Sequence, residues 1–256
     1  MDKPNVFRTS EFYMSEGDTL HVSIKYADGS DTVDLDLVAG DSGVVSDSTT
    51  YRVVDKDGNI YRTVIIGNQE WIVENLKVTT YADDSPIANL TVNVDWTGDT
   101  TGAYCYYNND ITNKADYGAL YNWYAVDNAA GLVYLERNGV SETDWRVPTK
   151  ADWLSLTTLL GGNAVAGGKL KSVGYDYFDV PNTGATDEYG FRGRAGGSRS
   201  TTGVFTGLRT NGNHHQSDLS TGNYVSRVLF SSFTSLGSTT ALNGNGGYSV
   251  RLVRDI

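Results

Sequence analysis

Glycine sets the tightest limit on what this chain can become. Twenty-nine of its 256 residues are Gly, against four Pro and two Met, and they separate short apolar runs, which leaves room for many turns and few long regular elements. With 17 Tyr and 5 Trp as well, the chain is turn-rich and aromatic-rich rather than helical. That suits a β-rich fold with many turns, and equally a binding surface, where Tyr and Trp give contact area at low entropic cost while Ser, Gly and Asn adapt. A chain of this length buries roughly three quarters of its unfolded surface, so one large domain, or a medium and a small one, is expected.

The apolar periods divide the sequence. From Leu20 to Val38 the residues alternate, with Leu20, Val22, Ile24 and Tyr26 on one face and Val33, Leu35 and Leu37 after the turn Ala27-Asp28-Gly29-Ser30-Asp31, which predicts a β-hairpin. Residues 39–50 read as a linker. Residues 1–50 therefore form a small all-β module, and with one apolar stripe such a module should dock or oligomerise. Beyond it, Tyr51 to Val54 and Ile60 to Ile66 flank the turn Asp55-Lys56-Asp57-Gly58-Asn59, and a third strand follows Gly67-Asn68. Two helices are expected. Tyr117, Leu120, Tyr121 and Tyr124 at i, i+3, i+4 and i+7 suggest one from about Asp116 to Val126. Thr149 as N-cap, Asp152 three residues on, and the stripe Trp153, Leu156, Leu160 ended by Gly161-Gly162 give the other. Beyond Gly167 the sequence reads as loops with short apolar runs. The expected class is α+β.

Charge excludes several partners. With 31 acidic and 20 basic residues the net charge is -11, so a nucleic-acid backbone or an anionic membrane surface is not an expected partner. No apolar run approaches the roughly 18 residues of a membrane span, and the first residues carry no apolar leader. Cys105 is the one cysteine, which removes intramolecular disulfides and thiolate clusters. Its neighbours Tyr104, Tyr106 and Tyr107 suggest a buried strand thiol.

Motifs for chemistry fail on inspection. The stretch from Asp55 has its glycine at position four rather than six of a calcium loop, and Ile66 stands where a bidentate Glu is needed. Gly168-Lys169 resembles the end of a phosphate loop, but Asn163 and Leu170 occupy the required Gly and Ser or Thr positions. Adjacent His214 and His215 point to opposite faces of an extended segment and chelate poorly, so neither metal nor cofactor is expected. What remains is a set of planar donors and aromatics on Gly-supported loops: Arg209, Asn211, Asn213, His214, His215, Tyr224 and Arg227. These are the candidate ligand-binding residues.

The run Asp57-Gly58-Asn59-Ile60-Tyr61-Arg62-Thr63-Val64-Ile65-Ile66-Gly67-Asn68-Gln69-Glu70-Trp71, with Glu74-Asn75-Leu76-Lys77, resembles the opening of the Fibrobacter succinogenes major paralogous domain family. Gly118-Ala119-Leu120-Tyr121-Asn122-Trp123-Tyr124-Ala125-Val126, Trp145-Arg146-Val147-Pro148-Thr149, Ala166-Gly167-Gly168-Lys169-Leu170-Lys171, the stretch from Asn182 to Phe191 and the closing Tyr248-Ser249-Val250-Arg251-Leu252-Val253-Arg254 follow in the family's order. The resemblance covers about residues 52 to 255. Its closing block and loop-rich layout are similar to C-type-lectin-like folds, which implies a lectin-like recognition domain over residues 51–256 with no assigned enzymatic activity. Members look like surface-exposed or secreted modules of gut Bacteroidetes and their relatives. Where the family usually has an aromatic Trp-Ser-Ser type segment, this chain has Asn213-His214-His215-Gln216-Ser217. The formylglycine-generating enzymes share the scaffold but rely on cysteine chemistry, and Cys105 lies outside any matching motif.

The expectation is thus a non-enzymatic recognition or structural protein. The absent leader and the small docking module fit a bacteriophage virion component, a capsid-attached fibre or decoration protein held to other virion proteins by residues 1–50, homo-oligomeric and trimeric, that binds host-surface glycan or protein. A secreted or surface-exposed bacterial adhesin is the alternative. The competing classes are an enzyme on a formylglycine-enzyme-like scaffold using His214 or His215, and a capsid-stabilising protein without external ligand.

Overall fold

In a computed structural model of the chain, residues 19–25, 32–38, 52–241 and 243–256 are described. The chain divides into two compact units, Met1–Thr49 and Thr50–Ile256. In the first, strands Thr19–Lys25 and Thr32–Val38 pair antiparallel with Leu20 opposite Leu37 and Val22 opposite Leu35, the pairing that the alternation predicts. The turn between them, the linker at 39–50 and the docking role of residues 1–50 lie outside the described residues.

The second unit is α+β. Its first sheet grows from the predicted hairpin: Arg52–Val54 pairs Ile60–Ile66, which pairs Gln69–Ile72 across the Gly67-Asn68 turn. The chain's final strand, Val253–Asp255, adds beside Gln69–Ile72, and the hairpin of Leu135–Arg137 and Val140–Glu142 adds beyond Arg52–Val54. A second sheet of five strands follows the order Phe205–Leu208, Gly196–Arg199, Asn211–His215, Tyr224–Phe230, Leu236–Ala241. The third is small, with Ala103–Cys105 between Ala88–Asn89 and Leu120–Tyr121. Cys105 is wholly buried there, as its aromatic neighbours suggest, and burial pushes its thiol up to about 11.

Helix Lys150–Leu159 forms where its cap predicts. Thr149 Oγ1 accepts the Asp152 N–H at 3.2 Å and the Asp152 carboxylate accepts the Thr149 N–H at 2.8 Å, so two orphan donors are satisfied reciprocally. Trp153 and Leu156 fill the core against Trp71, whose ring lies 5.1 Å from that of Trp153. Thr149→Ala is expected to cost about 1 kcal/mol, read as a lower denaturant midpoint, while Thr149→Ser should keep most of it.

The other predicted helix does not form. A helix ends at Tyr117, Leu120–Tyr121 is a strand, and a short helix restarts at Trp123–Val126. Gly118 breaks the run at φ +72°, a conformation L side chains avoid, and a Cβ there would sit 2.7 Å from the Leu76 carbonyl oxygen. Tyr117, Leu120 and Tyr121 reach the core from a helix end and a strand, while Tyr124 on the next helix stays half-exposed. A helix absent from the expectation, Asn163–Leu170, carries Gly167 and Gly168 against the backbone of Ser235 and Gly184. Close packing explains those glycines. The segment beyond Gly167, read as loops, supplies the five-stranded sheet.

Loops still make up much of the unit, and their carbonyls need donors. Three wholly buried cations supply them. Lys171 Nζ donates to the carbonyls of Thr183, Phe230 and Phe233 at 2.8, 2.8 and 3.0 Å. Arg199 donates to the carbonyls of Leu90, Thr91 and Gly203 and to Asn93 Oδ1. Arg251 donates to the carbonyls of Ile72, Phe191 and Arg192 and to Asn75 Oδ1. Each cation ties two or more irregular segments together.

Candidate ligand-recognition site

The residues expected to bind a ligand are spread through the second sheet, and their chemistry is largely spent inside the protein. Asn211, Asn213, His214 and His215 share the strand Asn211–His215, with Arg227 opposite His214. Asn213, His214 and His215 are 5%, 0% and 2% exposed, so a docked macromolecule cannot touch them without opening the sheet. The two histidines do face opposite ways. His214 Nε2 lies 3.3 Å from Asn75 Oδ1, an atom that already accepts from Arg251, so the imidazole is the donor there. His215 Nε2 donates to the Tyr121 carbonyl at 2.7 Å and its ring stacks edge-on with Tyr248. Burial, and for His214 the nearby Arg251 guanidinium, push these imidazoles down to about 3 and about 4. They are neutral structural residues at neutral pH.

Arg209 and Arg227 are half-buried and also engaged. Arg209 donates to Asp179 and to the carbonyls of Tyr175 and Asp176, and Arg227 donates to Gln216 Oε1 at 3.1 and 2.9 Å. Asn211 is half-buried against Gly207. The loop reading of this segment is therefore corrected: polar residues enter a central strand because neighbouring backbone and amide groups pair them.

Tyr224 stands apart, and it leads to a different place. Its ring meets Trp123 edge-on at 5.0 Å, and Trp123 lines a surface groove of about 400 Å³ with Tyr124, Asp127, Asn128, Ala129, Thr100 and Thr101. The groove is built from two capped turns. Asn122, wholly buried, caps the helix Trp123–Val126 by accepting the Ala125 N–H at 3.0 Å. The same oxygen accepts the Ala103 N–H at 2.9 Å, and Asn122 Nδ2 donates to Asp99 at 2.7 Å. Asp99 in turn accepts from the N–H groups of Thr101 and Gly102, which fixes the threonine rim. Asn128 closes the ring: its Nδ2 donates to the Thr101 carbonyl at 2.8 Å.

On this support the aromatic rings stay half-exposed while Asp127, Thr100 and Thr101 face solvent. The Trp123 backbone N–H donates to the Gly244 carbonyl at 2.8 Å, and the Tyr124 ring lies against Gly244, where a Cβ would come within 2.9 Å. Burial raises the Tyr224 phenol above its ordinary value, and so do Tyr124 and Asp127. The arrangement is a rigid aromatic wall with a polar rim, and it suits reversible binding more than bond-breaking. Sequence reading placed Tyr124, but not Trp123, on a helix face. The signal that marks the groove is the Asn122 cap immediately before two aromatics, followed by Asp127-Asn128.

Among the described residues, no group of three His, Cys, Asp or Glu side chains could hold a metal ion. No helix of the described residues is long and apolar enough to cross a membrane. The family model described as the Fibrobacter succinogenes major domain matches residues 64–254. No curated protein and no solved structure matches the chain.

Proposed function

The chain belongs to the Fibrobacter succinogenes major domain family, and from that premise we propose that it is a non-enzymatic recognition protein whose ligand seats in the Trp123–Tyr124 groove. One observation carries this reading: a concave surface pairs exposed aromatic faces with a carboxylate, an amide and two hydroxyls, all on backbone fixed by Asn122 and Asp99. The enzyme alternative loses its proposed catalysts, because His214 and His215 are sealed in the core and neutral. A general acid or base must reach the proton it moves.

The wider proposal keeps a C-type-lectin-like domain, supported by loop-borne recognition residues and by the final strand closing beside Gln69–Ile72. It also keeps a virion role, as a capsid-attached fibre or decoration protein that presents this domain to a host cell surface, with a bacterial surface adhesin as the alternative bearer of the same groove. The short antiparallel hairpin in the first unit, suited to pairing with other copies, supports an oligomer, proposed as a trimer. Light scattering on the full chain tests that proposal; a stable monomer removes it.

Recognition is tested by retention of the labelled full chain on intact bacterial cells. Wild type should be retained, and Tyr124→Ala together with Asp127→Ala should weaken retention about tenfold or more, as loss of a central aromatic anchor does. Equal retention of the double variant would move the site elsewhere.

A further inference from the structure

We infer that the ligand of the groove is an uncharged carbohydrate. The inference rests on the groove being the recognition site, and it deepens that reading by naming the chemistry of what binds.

Three observations select the class. First, Trp123 and Tyr124 are half-exposed: the Tyr124 ring packs on Gly244, the Trp123 backbone donates to the Gly244 carbonyl, and Tyr224 buttresses the Trp123 ring edge-on. Such faces accept the C–H side of a pyranose at little entropic cost, because the rings are already fixed. Second, the rim is too polar for a lipid tail or an apolar peptide anchor. Asp127 is acceptor-only when ionised, and the Thr101 hydroxyl, which gives its hydrogen to Asp99 at 2.8 Å, faces a ligand as an acceptor. Asn128 gives its N–H groups to the Thr101 carbonyl and toward the Tyr81 phenol and one lone pair to the Ala130 N–H, which leaves a lone pair for a ligand. The rim is thus a set of acceptors, and a ring bearing several hydroxyls supplies donors to Asp127, Asn128 and Thr101 at once. Third, the charge has one sign. Asp127 is the ionisable carboxylate on the rim, no Lys or Arg lines the groove, and the chain carries -11 overall. Sialylated and uronic-acid sugars meet repulsion there, with no cation to offset their desolvation.

A basic peptide is the one competitor this charge pattern would also admit, through the Asp127 carboxylate and the face of Trp123. The two differ in their response to salt. Binding of a cation to a single exposed carboxylate is screened, whereas stacking and neutral hydrogen bonds are nearly indifferent to ionic strength.

The experiment uses the full chain on an array of neutral and acidic glycans and on a lysine-rich peptide, at low and high salt. Backbone chemical shifts then follow the best neutral glycan. The expected result is binding of neutral glycans that high salt leaves unchanged, shifts centred on Trp123, Tyr124, Asp127 and Asn128, and no binding of acidic glycans. Asp127→Asn should weaken it about tenfold with unaltered thermal unfolding, since that side chain is exposed; Tyr124→Phe should retain more binding than Tyr124→Ala. Salt-sensitive binding of the lysine-rich peptide alone, equal binding of acidic glycans, or no neutral glycan perturbing the groove would each overturn the inference. If wild type is retained on cells and no neutral glycan competes, the carbohydrate assignment falls and the recognition reading stands. If cells retain nothing, both fall.

Discussion

Replacing Arg251 by Met should remove a large share of the domain's stability. The guanidinium is wholly enclosed and donates at 2.8 to 3.1 Å to Asn75 Oδ1 and to the carbonyls of Ile72, Phe191 and Arg192. Burial and the neighbouring Arg194 lower its pKa to about 9, still cationic at neutral pH. Met matches the length of the side chain but donates nothing, so four acceptors from three segments would lie in the core without those donors. Leaving one buried acceptor unpaired costs about 1 to 3 kcal/mol, and four lose a donor here. Against a typical total of about 5 to 15 kcal/mol, a loss of about 4 kcal/mol or more is a large share. Arg251→Lys should fall between, because a single ammonium cannot span the fork. Urea unfolding followed by tryptophan fluorescence reads the loss. An unchanged midpoint for Arg251→Met would show that the carbonyls do not depend on it.

The second large effect is on acid stability. His214 and His215 have folded pKa values of about 3 and about 4, below the ordinary 6.5. Between those values and 6.5 the unfolded chain binds protons that the folded chain refuses, so stability falls as pH drops below about 6.5. Two protons would give about 2.7 kcal/mol per pH unit at most. Asp187 opposes them. Its folded pKa, raised by burial to about 6 from 3.8, makes the folded chain the better proton binder over that interval, and Asp55, also raised by burial, acts in the same sense closer to pH 4. The net is about one proton, or about 1.4 kcal/mol lost per unit from pH 6 to 5. Below the ordinary carboxylate range the lowered groups Glu74 and Asp152 extend the loss. His215→Gln, whose amide can still donate to the Tyr121 carbonyl, should remove one proton and nearly flatten the slope between pH 6 and 5. Urea midpoints at several pH values decide it; a wild-type midpoint constant from pH 6.5 to 5 would contradict the assignment.

How much of this was legible in the sequence follows from what each residue leans on. Thr149 and Asp152 announce their helix because a cap is local, and the hairpin around Asp57-Gly58 is read from its turn and flanking alternation. Gly118 sits in a helical period, yet the carbonyls that make it a breaker belong to Asn75 and Leu76, far away in the chain. The stretch Asn211 to His215 has the composition of a surface loop and the location of a core strand. Its partners are Asn75, Tyr121 and Ser249, none of them a sequence neighbour. Polar composition marks a surface only where nothing else satisfies the polar groups. For that reason Asn213, His214 and His215 are buried where exposed side chains were expected, and of the residues first proposed Tyr224 is the one that packs against the groove-lining Trp123.

The first sheet has one more consequence, for how the domain joins other polypeptide. Arg52–Val54 and Val253–Asp255 run in opposite directions, two strands apart. Chain coming into the first and chain leaving the last therefore meet the sheet at the same end. Strand spacing and rise put Arg52 and Asp255 roughly 20 Å apart, a gap that about seven extended residues span. The domain is thus a cassette: residues 52–255 could be spliced into a surface loop of an unrelated carrier, or cut at a loop and rejoined through a short bridge. In either arrangement the groove would be displayed without a free end.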